Sequence, residues 1–178
     1  MEEPTEVCKI VLAGDSDVGK SFLSSRYIHN VLPSSPAHTI GVEFTTKTVA
    51  FKPSGSAKLQ LWDVAGMERY RSMTSMCFRS AAGVVIVFDL TQASTFQSVS
   101  AWLEHVRHSC DPNPVLMLLG NKSDVLGEHP EMRAVTYENA QALANSNGMS
   151  YMEVSAVSGV GVREAFEVFL DEVHRRTH

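Results

Sequence analysis

Cysteine is scarce in this chain and is never arranged for chemistry. Cys8, Cys77 and Cys110 are an odd number, widely spaced, with no C-x-x-C pair. That argues against a disulfide framework and against a thiolate metal site. It fits a reduced, cytosolic setting in which the three are small buried hydrophobes. Positive charge is also in deficit. The formal net charge of −5 gives no footing to a nucleic-acid binder, which would usually carry a basic face. Long apolar runs are missing: the longest, Ala81 to Phe88, is far too short to cross a bilayer. The chain opens Met-Glu-Glu-Pro rather than with a secretory leader. Any membrane association is therefore expected to come from a lipid or a partner. Seven histidines occur, for which exposed loop or helix positions are the expected places, and there is no repeat, low-complexity tract or linker. What remains is an ordinary soluble composition, 44% hydrophobic and 20% charged over 178 residues, enough for one domain with a real core.

Six apolar segments alternate with helix-like ones. "VCKIVLA" (Val7 to Ala13) predicts a strand ending at Gly14, and "KSFLSSRYIHN" a helix. "GVEFTTKTVAFK" and "AKLQLWD" alternate apolar and polar around the turn residues "PSGS", which predicts a hairpin. "GVVIVFDL" and "PVLMLLGN" are continuous apolar runs, as expected of central parallel strands covered on both faces. Between them a helix is expected from Ser94, with Phe96, Val99, Trp102, Leu103 and Val106 at helical spacing. "VTYENAQALANSNG" predicts a helix capped by Thr136 and closed at Gly148. "MSYMEVS" gives a last strand and "GVREAFEVFLDEVHRR" a last amphipathic helix. Strands alternating with helices imply one α/β domain with a mostly parallel sheet and right-handed crossovers.

In such a sheet ligands bind beyond the carboxyl ends of the strands. Four places qualify: Gly14 to Ser21, Asp63 to Gly66, Asn121 to Asp124, and Ser155-Ala156. "GDSDVGKS" (Gly14 to Ser21) fits G-x-x-x-x-G-K-[ST] between a strand and a helix. Its glycines let backbone N–H groups curl around phosphate oxygens, and the helix N-terminus adds partial positive charge. Lys20 supplies a full charge, and the Ser21 hydroxyl can ligate Mg²⁺. The bland alternative is a glycine-containing turn, which average composition produces by chance in about one in a hundred chains of this length. In "NKSD" (Asn121 to Asp124) the Asp124 carboxylate can accept two hydrogen bonds from guanine's ring N–H and exocyclic amine. Adenine presents no such pair. Alone, N-x-x-D is mostly turn chemistry; one crossover beyond a phosphate loop, it carries more.

With these residues assembled, the chain resembles the Ras superfamily of small GTPases, and the Rab branch most closely. The resemblance covers nearly the whole chain from Lys9. It rests on the phosphate loop, "TIGVEF" (Thr39 to Phe44), "KLQLWDVAGMERYRSM", "FRSAAGVVIVFDLT", "GNKSD" and "EVSA" (Glu153 to Ala156). It implies a P-loop small G domain across 1–178. Such a domain has a six-stranded, mostly parallel sheet with one antiparallel hairpin strand and five flanking helices. It also implies GTP or GDP with Mg²⁺ as ligands. Gly14, Asp15, Ser16, Asp17, Val18, Gly19, Lys20, Ser21 and Phe22 would surround the phosphates, with Thr39 and Gly66. Ser21 and Thr39 would ligate the metal, and Asp63 would hold it through water. Asn121, Lys122 and Asp124 would read guanine, with Ser155, Ala156 and Val157 closing over the base. Segments around 32–44 and 64–79 would be the two switches. Ile40, Gly41, Val42, Glu43, Phe44, Trp62 and Tyr70 would meet partners: effectors, an exchange factor and a GTPase-activating protein. The protein is expected to be a monomer that reaches membranes only through a C-terminal lipid. This chain stops at His178, without the family's tail.

Several positions depart from the pattern. Met67 stands where the family has the glutamine that orients the attacking water, and a thioether cannot do that, so intrinsic hydrolysis is expected to be slow. Val64 replaces a threonine with no catalytic role. Asp17 replaces a glycine and brings a carboxylate near the phosphates. Leu32 replaces an aromatic that covers the guanine edge, and Val157 replaces a lysine. Asp17, Leu32 and Val157 are each worth about 1 kcal/mol, all in the direction of looser nucleotide holding. Two functions from different classes follow. One is a Rab-type nucleotide switch acting in vesicle traffic. The other is a nucleotide-stabilised interaction module that barely hydrolyses. A P-loop kinase fits less well, since no lid is evident and "NKSD" is present.

Overall fold

In β1 (Val7–Ala13), Ile10 and Leu12 enter one apolar cluster while Val11 and Ala13 enter another. That two-residue period belongs to a strand covered on both faces. β4 (Gly83–Asp89) repeats it, with Val85 and Val87 on one side and Val84, Ile86 and Phe88 on the other, every residue buried. The computed structural model describes residues 6–33, 42–51, 54–64, 75–110 and 113–178, and of Val42 and Glu43 only the backbone.

The other strands are β2 (Val42–Ala50), β3 (Ser56–Val64), β5 (Val115–Asn121) and β6 (Ser150–Glu153). They form one sheet in the order β2-β3-β1-β4-β5-β6. β2 pairs antiparallel with β3, and every other pairing is parallel. This is the expected mostly parallel sheet with one antiparallel hairpin strand.

Helices cover both faces. α1 (Lys20–His29) and α6 (Val162–Thr177) send Leu23, Tyr27, Phe166, Phe169 and Leu170 into the first cluster. Gly83 allows that approach: a Cβ there would sit 2.6 Å from Phe169 Cζ. α3 (Val99–Ser109) and α5 (Tyr137–Ser146) supply Trp102, Leu103, Val106, Ala140 and Ala144 to the second. The helix expected from Ser94 comes in two pieces, α2 (Ala93–Gln97) and α3, broken at Ser98. Thr136 caps α5 as its position suggests, accepting from the Asn139 N–H at 3.1 Å, and Gly148 follows the helix with a left-handed φ of 67°. A short helix, α4 (Ser123–Glu128), has no periodic signal of its own.

Parallel pairing brings the carboxyl ends of β1, β3, β4, β5 and β6 to one edge. The strand order turns about β1, with β3 on one side and β4 on the other, which is where ligands sit in open α/β sheets.

Candidate functional site

The loop after β1 is closed by two glycines whose backbone admits no side chain. Gly14 has φ 141° and a Cβ there would lie 2.3 Å from the Val87 carbonyl oxygen; Gly19 has φ 101° and a Cβ would lie 2.3 Å from Asn121 Nδ2. Between them Asp17 also takes a left-handed φ, 67°, and is exposed. That conformation accounts for glycine being common at such a position. Aspartate is among the few other residues that tolerate it. Val18 is fully buried, Asp15 and Ser16 are half-buried, and Phe22 packs against the first apolar cluster. Lys20 opens α1 and is 6% exposed, its ammonium donating to the Gly14 and Asp15 carbonyls at 2.9 and 2.7 Å. Burial pushes its pKa down, and the carboxylates of Asp63, Asp15 and Asp17 oppose that shift. A buried cation at a helix N-terminus, inside a loop of backbone amides, is an anion site.

The Ser21 hydroxyl donates to Asp63 Oδ2, and Asp63 is buried at the end of β3. A hydroxyl and a carboxylate brought together beside the anion loop are hard oxygen donors, the set that suits Mg²⁺. The ion bound there would neutralise charge on phosphate oxygens. Thr39, Ile40, Gly41, Gly66, Met67 and Tyr70 lie outside the described residues.

A third cluster joins β5 to the loop after β6. Asn121 is 2% exposed; its Nδ2 donates to the Val18 carbonyl at 2.8 Å, and its Oδ1 accepts from the Ala156 N–H at 3.1 Å. One side chain thereby ties the phosphate loop to the Ser155-Ala156 turn. The Ser155 hydroxyl donates to Asp124 Oδ1 at 2.9 Å and accepts from the Ser158 N–H at 3.0 Å. Lys122 has a left-handed φ of 72° and places its ammonium 2.9 Å from Asp89 Oδ2. The four predicted strand-end segments, so far as they are described, meet at one edge.

Known proteins resemble this chain over most of its length. The Ras family model matches residues 9–175. The Ras-related protein RABA2a of Arabidopsis thaliana is 44% identical over 98% of this chain and 78% of its own. The GTP-binding protein ypt3 of Schizosaccharomyces pombe is 45% identical over 94% and 76%, and the Ras-related protein Rab2BV of Beta vulgaris 44% over 93% and 75%. The chain belongs to the Rab family of small GTPases. Proteins of this family bind GTP and GDP with Mg²⁺.

On the sheet edge of this Rab-family chain, Phe44 and Trp62 face each other across the β2–β3 pair, stacked with centroids 4.8 Å apart. Lys9 lies over the Trp62 ring at 4.4 Å. Phe44 stays half exposed. Val42 and Glu43 lie in β2 opposite Val64 and Asp63.

Four participants were not singled out by sequence. Asp89, 2% exposed, holds Lys122 and accepts from the Thr91 N–H and hydroxyl at 2.8 and 2.6 Å. It ends β4, so the strand-end criterion applied to that strand too would have found it. Arg26 reaches from α1 to the Ala156 and Val157 carbonyls at 2.9 and 2.7 Å, which pins the turn that Val157 leaves half exposed. Nothing in the local sequence marks it. Arg133 grips Glu153 with two hydrogen bonds of 2.9 Å, and the Tyr151 hydroxyl donates to the same carboxylate at 2.6 Å, two residues before Ser155. Burial alone would raise the Glu153 pKa; the bonds from Arg133 and Tyr151 outweigh it and hold the carboxyl below its usual value. Leu32 is partly buried after α1, and nothing in the structure explains the choice of leucine.

Proposed function

We propose that this chain is a guanine-nucleotide switch of the Rab type, a single G domain across residues 1–178, acting in vesicle-mediated transport through effectors that bind its GTP form. The observation that carries the proposal is Asn121 bridging Val18 to Ala156, with Asp124 oriented beside it by Ser155. That arrangement links the phosphate loop to a carboxylate able to accept both donors of guanine's edge, which adenine lacks. In the bound state Gly14 to Phe22 surround the phosphates, together with Thr39 and Gly66. Ser21, Thr39 and Asp63 provide for Mg²⁺. Asn121, Lys122, Asp124 and Ser155 to Val157 enclose the base. Ile40 to Phe44, Trp62 and Tyr70 meet effectors, an exchange factor and a GTPase-activating partner. The protein acts as a cytoplasmic monomer, reaching endomembranes through a lipid on a C-terminal tail.

Intrinsic hydrolysis is slow, because phosphoryl transfer to water depends on positioning and Met67 cannot position a water. A GTPase-activating partner that supplies its own glutamine and arginine would restore turnover. Met67 and Asp17 also favour a second function, a nucleotide-stabilised interaction module that does not cycle. One experiment tests both: identify the nucleotide carried by purified protein, then measure single-turnover GTP hydrolysis. Met67→Gln is expected to raise that rate about tenfold, near 1.4 kcal/mol on the barrier. Equal affinity for ATP and GTP would end the guanine assignment. An unchanged rate in Met67→Gln would end the account of Met67. A slow rate that no activating partner accelerates would favour the non-cycling module.

A further inference from the structure

Trp102 is 1% exposed on the inner face of α3, within the second apolar cluster. A phenylalanine would fill such a place with carbon alone; a buried indole needs a partner for its N–H. That partner is in the phosphate loop: Nε1 donates to Asp15 Oδ1 at 3.0 Å, across 87 residues of sequence. The Asp15 peptide is the one on which Lys20 rests, its carbonyl accepting the ammonium at 2.7 Å, with the Gly14 carbonyl at 2.9 Å. The indole itself is held from the side by His105, whose ring meets it edge-on at a centroid distance of 6.2 Å.

A carboxylate one residue past Gly14 is a hazard in an anion site. Left to rotate, it would oppose phosphate oxygens and compete for Lys20's ammonium, and in a buried setting such like-charge contacts are poorly screened. An N–H donated to a carboxylate is a charge-assisted bond, stronger and more directional than a neutral one. We propose that Trp102 is a positioning residue for nucleotide retention: its indole N–H fixes the Asp15 carboxylate, and through it the peptide that docks Lys20. It touches no ligand; it acts through Asp15. The inference rests on the nucleotide assignment above and adds to it a residue from a helix outside the four strand-end segments.

The test is a double-mutant cycle on GDP release from the Mg²⁺-loaded protein, followed with a fluorescent GDP analogue, with melting temperature measured in parallel. Trp102→Phe keeps the ring in the core and removes the donor, and is expected to speed release about fivefold. Asp15→Ala removes the acceptor and is expected to do at least as much. In the Asp15→Ala background Trp102→Phe should add less than twofold, because the bond is already gone. In Asp15→Asn, which keeps an acceptor, release should again depend on Trp102. A tryptophan serving only as core filling would multiply its full factor onto Asp15→Ala, and that result overturns the inference. So does an unchanged release rate in Trp102→Phe. If the unmutated protein retains no guanine nucleotide, the nucleotide assignment itself falls, and this inference falls with it.

Discussion

The two ends of the candidate site, one proposed to hold the guanine base and the other the phosphates, are built on different physics. At the base end, Asn121, Ser155, Arg26 and Glu153 are tied by hydrogen bonds to backbone and side chains of other elements. Order there comes from geometry, with each buried polar group given a partner. At the phosphate end, one buried ammonium, Lys20, lies within the influence of three carboxylates, Asp63, Asp15 and Asp17. Order there comes from charge held close in a poorly screened place, on a frame of hydrogen bonds from Lys20 to the Gly14 and Asp15 carbonyls and from Trp102 to Asp15. The base end should therefore respond steeply to removal of a hydrogen-bonding atom and, outside its Arg133–Glu153 and Lys122–Asp89 ion pairs, little to salt. The phosphate end should respond to charge and ionic strength.

The sharpest way to break this contrast is Asn121→Ala. It strands the Val18 carbonyl and the Ala156 N–H, buried groups that cost about 1–3 kcal/mol each when left unpaired. Guanine-nucleotide affinity should fall about a hundredfold by calorimetry, close to 2.7 kcal/mol. A loss below threefold would mean the bridge is incidental.

A smaller effect is expected at Glu153→Gln. Charge-assisted bonds from Arg133 and Tyr151 are lost in part, about 1–2 kcal/mol after allowance for partial exposure, or about 5 °C in melting temperature at neutral pH. The Glu153 carboxyl is held below its ordinary value of 4.5, so its stabilisation is present above that pH. It fades as pH falls through the lower, folded-state value. The gap between Glu153→Gln and the unmutated protein should accordingly close on acidification. A gap that is constant with pH would show that the carboxylate's charge contributes nothing.

The smallest effect belongs to Asp17, and it sharpens the comparison. Its φ of 67° gives two reasons for glycine to fit there, relief of backbone strain and removal of a charge. Asp17→Asn removes the charge and keeps a residue tolerant of that conformation. If the phosphate end is governed by charge, Asp17→Asn and Asp17→Gly should both slow GDP release about threefold at low salt, less at high salt. Slowing by Asp17→Gly alone would assign the effect to the backbone.

Legibility followed the same divide. The strand-end segments were readable because each is local: a run of apolar residues stops, and glycine or a carboxylate follows. The loop from Gly14 to Ser21 announces itself because positive φ at Gly14 and Gly19 leaves no choice of residue. Asp89 was readable as a strand end and passed over. Arg26 and the Arg133–Glu153 pair were not readable, since their partners lie 130 and 131 residues away for Arg26 and 20 for Arg133. Trp102 looked like core by its spacing, and it is core; only its N–H has a second purpose.

Sequence by itself determined the α/β class, the antiparallel hairpin, the glycine-and-lysine loop after β1 and the position of the Asn121–Asp124 segment proposed to read guanine. Period-two and period-3.6 patterns, glycine's freedom and the chemistry of a lysine or carboxylate are properties of a few neighbouring residues. Tertiary structure alone decided which of those groups meet: that Asn121 would bridge Val18 and Ala156, that Ser21 would find Asp63, and that an indole from α3 would reach Asp15. The sheet order β2-β3-β1-β4-β5-β6 produces those meetings, because parallel pairing brings distant strand ends to a single edge.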